Sequence, residues 1–151
     1  HMLKDPNFSS VLKDMLARGK HVVVTDGLAK RLSDQAILEN DNLMVLKVKG
    51  NPKNLLTMKR DELNPIRDHL LKPLGIQFDA PNKVGLYLYG EDFFVVENFN
   101  DEQVDIKIKL PDISKVKKLL VLPEEMESEL SSENNIVTIN LAPRTLIAVK
   151  Y

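Results

Sequence analysis

Apolar residues recur along this chain with two different periods. In the first half the spacing is helical. Val11, Leu12, Met15 and Leu16 fall on one helix face, Ser9 or Ser10 stands where a capping hydroxyl is favoured, and Gly19 follows as a terminating residue. His21-Val22-Val23-Val24-Thr25 is a β-branched run of the kind found in a strand covered on both faces. Asp26-Gly27 breaks it, and a second helix with Leu28, Leu32 and Ala36 on one side is expected, opened by Asp26 as its cap. Leu43 to Val48 reads as another strand, and Gly50-Asn51-Pro52 as a turn. Asn64-Pro65 has the form of a helix start, with Ile66, Leu70 and Leu71 on the apolar face and Pro73 and Gly75 at its end.

From Val84 the period becomes two. Val84, Leu86 and Leu88 alternate with Gly85, Tyr87 and Tyr89, and Gly90-Glu91-Asp92 connects to a strand over Phe93 to Phe99. Asn100-Asp101-Glu102 turns the chain into Val104, Ile106, Ile108 and Leu110, which alternate with Asp105, Lys107 and Lys109 as in a half-buried strand. Val116 to Leu122, an acidic loop, Ile136 to Leu141 and Thr145 to Tyr151 follow. Strands spaced about 8–12 residues apart, with turn residues between them, indicate a sandwich or barrel. The expected fold is therefore α+β. A small α/β segment over residues 1–80 is followed by an antiparallel β-sandwich of about six strands over 81–151, with the boundary near Ala80-Pro81. Two strands are few for a doubly wound sheet, which takes five or six. Either the α/β segment packs directly on the sandwich or it is the end of a truncated domain.

Composition narrows the function classes. The chain has 151 residues, 43% hydrophobic and 28% charged, enough for a packed core. A net charge of -1 gives no field for nucleic acid, and no apolar run approaches the roughly 18 residues of a membrane span. Cysteine is absent, which removes disulfides, thiolate zinc sites and a thiol nucleophile together. His1-Met2 has the look of a cloning remnant, and no signal peptide follows it.

Several stretches carry a resemblance. They are Leu70-Leu71-Lys72-Pro73-Leu74-Gly75-Ile76, Ala80-Pro81-Asn82-Lys83-Val84, Val95-Val96-Glu97-Asn98-Phe99-Asn100-Asp101-Glu102 and the ending Leu141-Ala142-Pro143-Arg144-Thr145-Leu146-Ile147-Ala148-Val149. Together they resemble the C-terminal region of bacterial glycoside hydrolases of the β-galactosidase type, where a small β-sandwich contains such a strand-turn and ends in such a strand. Val11 to Leu32 is similar to the last helix-strand-helix unit of a glutamine-amidotransferase-like α/β domain. The resemblance implies an accessory module rather than an activity, because the family's catalytic carboxylates lie in a separate barrel and the amidotransferase nucleophile is a cysteine. It also implies an exported parent protein, whose other domains are the partners.

Candidate chemistry is sparse. A glycosidase needs two carboxylates about 5–10 Å apart. The pairs Glu91/Asp92 and Asp101/Glu102 flank one strand and so stand roughly 20 Å apart. Glu97 lies within an apolar strand and is a candidate buried carboxylate, with Arg144 or a lysine as a partner. His69 beside Asp68 reads as helix surface, and Asn98, Asn100 and Asp101 read as turn residues rather than calcium ligands. No metal or cofactor site emerges. Tyr87 and Tyr89 share a strand face and, with Phe93 or Phe94 across from them and Phe94 taken as the third member, form a candidate carbohydrate platform, set against burial of the tyrosines on the α/β part. Three functions follow: a non-catalytic structural module of a carbohydrate-active enzyme; a carbohydrate-binding module; or a contributor to an active site completed by a partner.

Overall fold

The computed structural model describes residues 7–48, 50–90, 92–112, 118–122 and 132–151. Helix α1 (Phe8–Ala17) buries Leu12 and Leu16 and ends at Gly19, whose φ of 72° lets its N–H reach Leu16 O while Lys20 N–H reaches Met15 O. Asn7, not a serine, holds the N-cap position. Strand β1 (Val22–Thr25) pairs in parallel with β2 (Leu43–Leu46). The second helix is broken. Only Asp26–Ala29 (α2) is α-helical, and a 3-10 turn over Gln35–Glu39 follows. Thr25 rather than Asp26 caps α2, its Oγ1 accepting from Leu28 N–H at 3.3 Å, while Asp26 accepts from Val48 N–H. Leu12, Leu16, Val24, Ala29, Leu32, Ile37 and Leu43 form the core of this small unit, and Ala36 is exposed.

Helix α3 (Arg60–Leu71) starts well before Asn64-Pro65. Glu62 accepts from the Lys59 N–H at 2.8 Å, closing the first turn from residues whose polarity gave no apolar period to read. Pro65 is accommodated inside the helix, and Asn64 turns its amide to Asp79 Oδ1 at 2.6 Å instead of capping. No residue of α3 is fully buried; Leu71 packs against the sandwich core, and polar contacts fasten the rest of the helix. Arg60 bonds Asp79 at 2.5 Å, and Arg67 spans the carbonyls of Ala80 and Pro81, with its guanidinium 4.8 Å from the Phe78 ring. On its opposite side His69 Nε2 donates to Val22 O and Asn42 O, and His21 Nδ1 donates to His69 O. The helix thus joins the α/β unit to the sandwich, and His69 is part-buried rather than a surface residue. Its role depends on carbonyls distant in sequence, which no local pattern shows.

The sandwich has two antiparallel sheets. One runs in the order β4 (Val84–Tyr89), β5 (Phe93–Asn98), β10 (Leu146–Lys150), β7 (Lys118–Leu122). The other runs β3 (Gln77–Asp79), β6 (Val104–Lys109), β9 (Ile136–Leu141), β8 (Ser132–Glu133). The six expected strands are present, with β3 and β8 as short additions at sheet edges. Asn134 and Asn135, at φ 53° and 63°, form the two-residue turn between β8 and β9, a conformation asparagine tolerates. Val116 and the acidic loop lie outside the described residues. Alternation sends Val84, Phe94, Val96, Ile106, Ile108, Val137, Ile139, Leu141, Ile147 and Val149 into a single core between the sheets.

One polar side chain sits in that core. Asn98 is 1% exposed, and its amide donates to Glu102 O at 2.8 Å, Ala142 O at 2.9 Å and Leu141 O at 3.3 Å. Its Oδ1 accepts from Asn100 N–H and Nδ2, and Asn100 Nδ2 goes on to Asn82 O. The turn after β5, the β9–β10 connection and the entry to β4 are therefore tied at one node. Arg144, at φ 55°, closes it by bonding Asp101 at 2.7 Å and 2.9 Å.

Two consequences are measurable. Asn98→Asp sets an acceptor against three carbonyls and should cost about 2–4 kcal/mol in urea unfolding. A loss comparable to that of an exposed substitution would dismiss the node. Asp79 is held below the usual carboxylate range, chiefly by the Arg60 hydrogen bond. Its contribution is present above the ordinary aspartate pKa of about 3.9 and fades as pH falls through the lowered folded value. Asp79→Asn should therefore lower Tm slightly at neutral pH and flatten the acid limb of the Tm profile. An unchanged limb would show that the exposed pair adds nothing.

Candidate functional site

The two outer faces of the sandwich differ. On the sheet of β3, β6 and β9 the outward residues include Gln77, Asp79, Asp105, Lys107, Lys109, Thr138 and Asn140, an ordinary solvated face. On β4, β5 and β10 the outward rows are Gly85–Glu97–Leu146, Tyr87–Val95–Ala148 and Tyr89–Phe93–Lys150. Glu97 and Lys150 are the charged members of those three rows. Tyr87 is 41% and Tyr89 54% exposed, so the tyrosines are not covered by the α/β unit.

Gly85 explains how Tyr87 lies. A Cβ at Gly85 would stand 3.0 Å from Tyr87 Cε2 and 3.2 Å from its hydroxyl oxygen. The phenol end occupies the space that a side chain would fill, folded down against the sheet. The hydroxyl makes a long hydrogen bond of 3.4 Å to Glu97 Oε2 on β5. Desolvation and then the Glu97 carboxylate push the Tyr87 phenol above its usual range, so it stays a donor through neutral pH. Tyr89 contacts Phe93 instead, with ring centroids 5.9 Å apart and planes tilted by 56°.

The candidate residues from the sequence separate accordingly. Tyr87, Tyr89 and Glu97 share one face. Phe94 does not: its exposure is 0%, and its ring packs against Tyr151 inside the sandwich, because β5 alternation turns residue 94 inward and 93 outward. Glu97 is half-buried with Tyr87 as its partner, while Arg144 is taken by Asp101. Gly85 is the member that sequence reasoning passed over. Its signal is a glycine two residues from an aromatic within a strand, the pattern in which a ring covers a glycine.

Elsewhere little converges. Asp92 pairs with Lys150 at 3.3 Å, at the opposite end of β5 from the Asp101–Arg144 pair. Asn98, Asn100 and Asp101 spend their side chains on the protein itself. An open groove of about 520 Å³ between α3 and the β3/β6 edge is lined by Asp68, His69, Lys72, Gln77 and Lys109 among others, but His69 Nε2 is committed to two carbonyls. Among the described residues no group of histidine and carboxylate side chains is placed to hold a metal, and no helix is long and apolar enough to cross a membrane.

Comparison with known proteins agrees with this layout. The family described as "Probable glycosyl hydrolase, C-terminal domain" matches residues 75–150, just over half of the chain, from Gly75 before β3 to the end of β10. No curated protein and no solved structure matches. The amidotransferase-like character expected of the first half finds no support in these comparisons. The matched span contains the whole sandwich, the Asn98 node and the tyrosine face, and the chain belongs to this family of glycosyl hydrolase C-terminal domains.

Proposed function

We propose that the chain is a non-catalytic accessory module of a larger carbohydrate-active enzyme, and that its α/β side packs against another part of that enzyme. Membership of a family of glycosyl hydrolase C-terminal domains supports this reading, since a C-terminal domain implies other domains in a parent polypeptide. The observation that carries the packing role is the parallel pair β1–β2. Parallel strands are normally covered on both faces and belong to larger sheets. Here each strand has one partner among the described residues, and Val22 and Val23 are only half-buried. With Val22 N–H bonded to Asn42 O, residues 22 and 24 turn their peptide groups toward β2, so those of Val23 and Thr25 face the other way. Beside this unit Val11 and Met15 form an apolar step on α1, at 52% and 40% exposed. An open edge and an apolar step on one small unit are what a separated interface leaves behind.

The reading is tested by amide exchange. The β1 and β2 amides should exchange faster than those of β5 and β6 in this chain, and should become protected in the longer parent polypeptide. Val11→Asp with Met15→Asp should leave the Tm of this chain nearly unchanged and lower that of the parent. Equal exchange of β1 in both proteins, together with indifference of the parent to the double substitution, would dismiss the packing role. Hydrolysis of chromogenic glycosides by this chain alone would dismiss the non-catalytic one.

A further inference from the structure

We infer that the Tyr87 face is a binding site for a neutral pyranose ring, with Tyr87 as the stacking platform and Glu97 as the hydroxyl acceptor at its edge. The site is separate from the α/β side, so this inference stands or falls independently of the packing role.

Three observations carry it. First, Tyr87 is already in place. Its phenol end fills the gap above Gly85, so the ring is packed against the sheet and has less freedom to lose on binding. The residue is still 41% exposed. A flat aromatic surface held in this way suits the C–H face of a pyranose, which presents axial hydrogens and little else. Second, the rim supplies the matching polar group. Glu97 Oε2 is only weakly engaged at 3.4 Å, and a carboxylate at the margin of a ring platform accepts from sugar hydroxyls. Lys150, the other charge of these rows, lies in the row after Tyr87, beside Phe93, and is paired with Asp92, so its charge is offset there. Third, the size fits. The aromatic part of the face spans two strands and three alternating positions, roughly 10 Å by 13 Å. That is the footprint of a sugar ring or two, and a small fraction of the roughly 800 Å² that a stable protein interface takes from each partner. Tyr89, angled against Phe93 in the next row, would flank a second ring.

The test is titration of the full chain with methyl β-D-glucopyranoside, methyl β-D-galactopyranoside, cellotetraose and maltotetraose, followed by amide and aromatic NMR shifts. Saturable millimolar binding of at least one of them is expected, with the largest shifts at Gly85, Tyr87 and Glu97. Tyr87→Ala should weaken it at least tenfold. Gly85→Val is the sharper variant. Valine suits a strand, but its Cβ and branches displace the Tyr87 ring, so binding should be lost while the amide spectrum of the core is kept. Glu97→Gln should retain most of the affinity and Glu97→Ala should lose severalfold. No saturable binding by any of the four sugars overturns the inference, and so does binding indifferent to both Tyr87→Ala and Gly85→Val. A concentration-dependent dimer in sedimentation that Tyr87→Ala dissociates would give the face to a second copy and overturn it as well.

Discussion

The sandwich depends on one carboxamide. Asn98 ends β5 in one sheet, and its amide reaches carbonyls at the start of β6 and the end of β9 in the other. An unsatisfied polar group at 1% exposure would be expensive, so the group is tolerable only where all its partners arrive together. That requirement links the register of β5 to the position of the β9–β10 connection. Sliding β5 by one residue would bring Asn98 out of reach and turn every side chain of the strand over, placing Glu97 in the core and Phe94 in water. The arrangement of the outer face, with Glu97 beside Gly85 and Val95 beside Tyr87, follows from the same register. The node therefore governs both the core and the candidate site, which it adjoins through Glu97, the residue before Asn98.

It also gives a physical reason for two of the stretches that carry the family resemblance. Val95 to Glu102 and Leu141 to Val149 are far apart in sequence, yet they meet at the node. Asn98 and Asn100 hold the turn, Asn98 takes the Leu141 and Ala142 carbonyls, and Asp101 takes Arg144. Arg144 adopts a left-handed backbone there, and its N–H bonds Asn100 O. These residues serve closure of the sandwich: the Asn98 and Asn100 amides and one Asp101 oxygen are engaged within it.

Legibility in the sequence followed the range of the interactions. The strands from Val84 to Val149 were readable because alternation is a local signal, and the sandwich follows from it. Phe94 was misplaced beside the tyrosines although the same alternation fixes it inward, opposite Phe93. Helix α3 starts earlier than Asn64-Pro65 suggests because its first turn is polar and is organised by Glu62 reaching back to Lys59. The burial of His69 depends on contacts with distant backbone, of which short-range periodicity carries no trace, and the break after Ala29 is closed by the Gln35 amide on the Ala29 and Leu32 carbonyls rather than by an apolar period. The strands β3 and β8 were too short to alternate visibly. Gly85 was legible in principle, since a strand glycine near a tyrosine invites the ring to cover it, but that inference requires knowing that the strand's outer face is open.

Helix α3 then determines how the two halves can act together. It contributes no fully buried residue, and besides Leu71, which packs against the sandwich core, it is attached by directed bonds from Arg60, Asn64 and Arg67 to the segment Asp79 to Pro81 and from Arg60 to Asp105 O. Its attachment to the α/β unit is the His69 side chain on two carbonyls and the His21 contact to its own carbonyl. Directed bonds fix orientation more strictly than apolar contact, which permits sliding. A small unit with an open parallel edge, oriented by such a helix, holds the sandwich at a set attitude to whatever completes that edge. The α3 seam lies against the β3 end of one sheet, whereas the tyrosine face belongs to the other sheet. The proposed packing surface and the proposed sugar site therefore lie on different parts of the chain, so the two roles do not compete for the same residues.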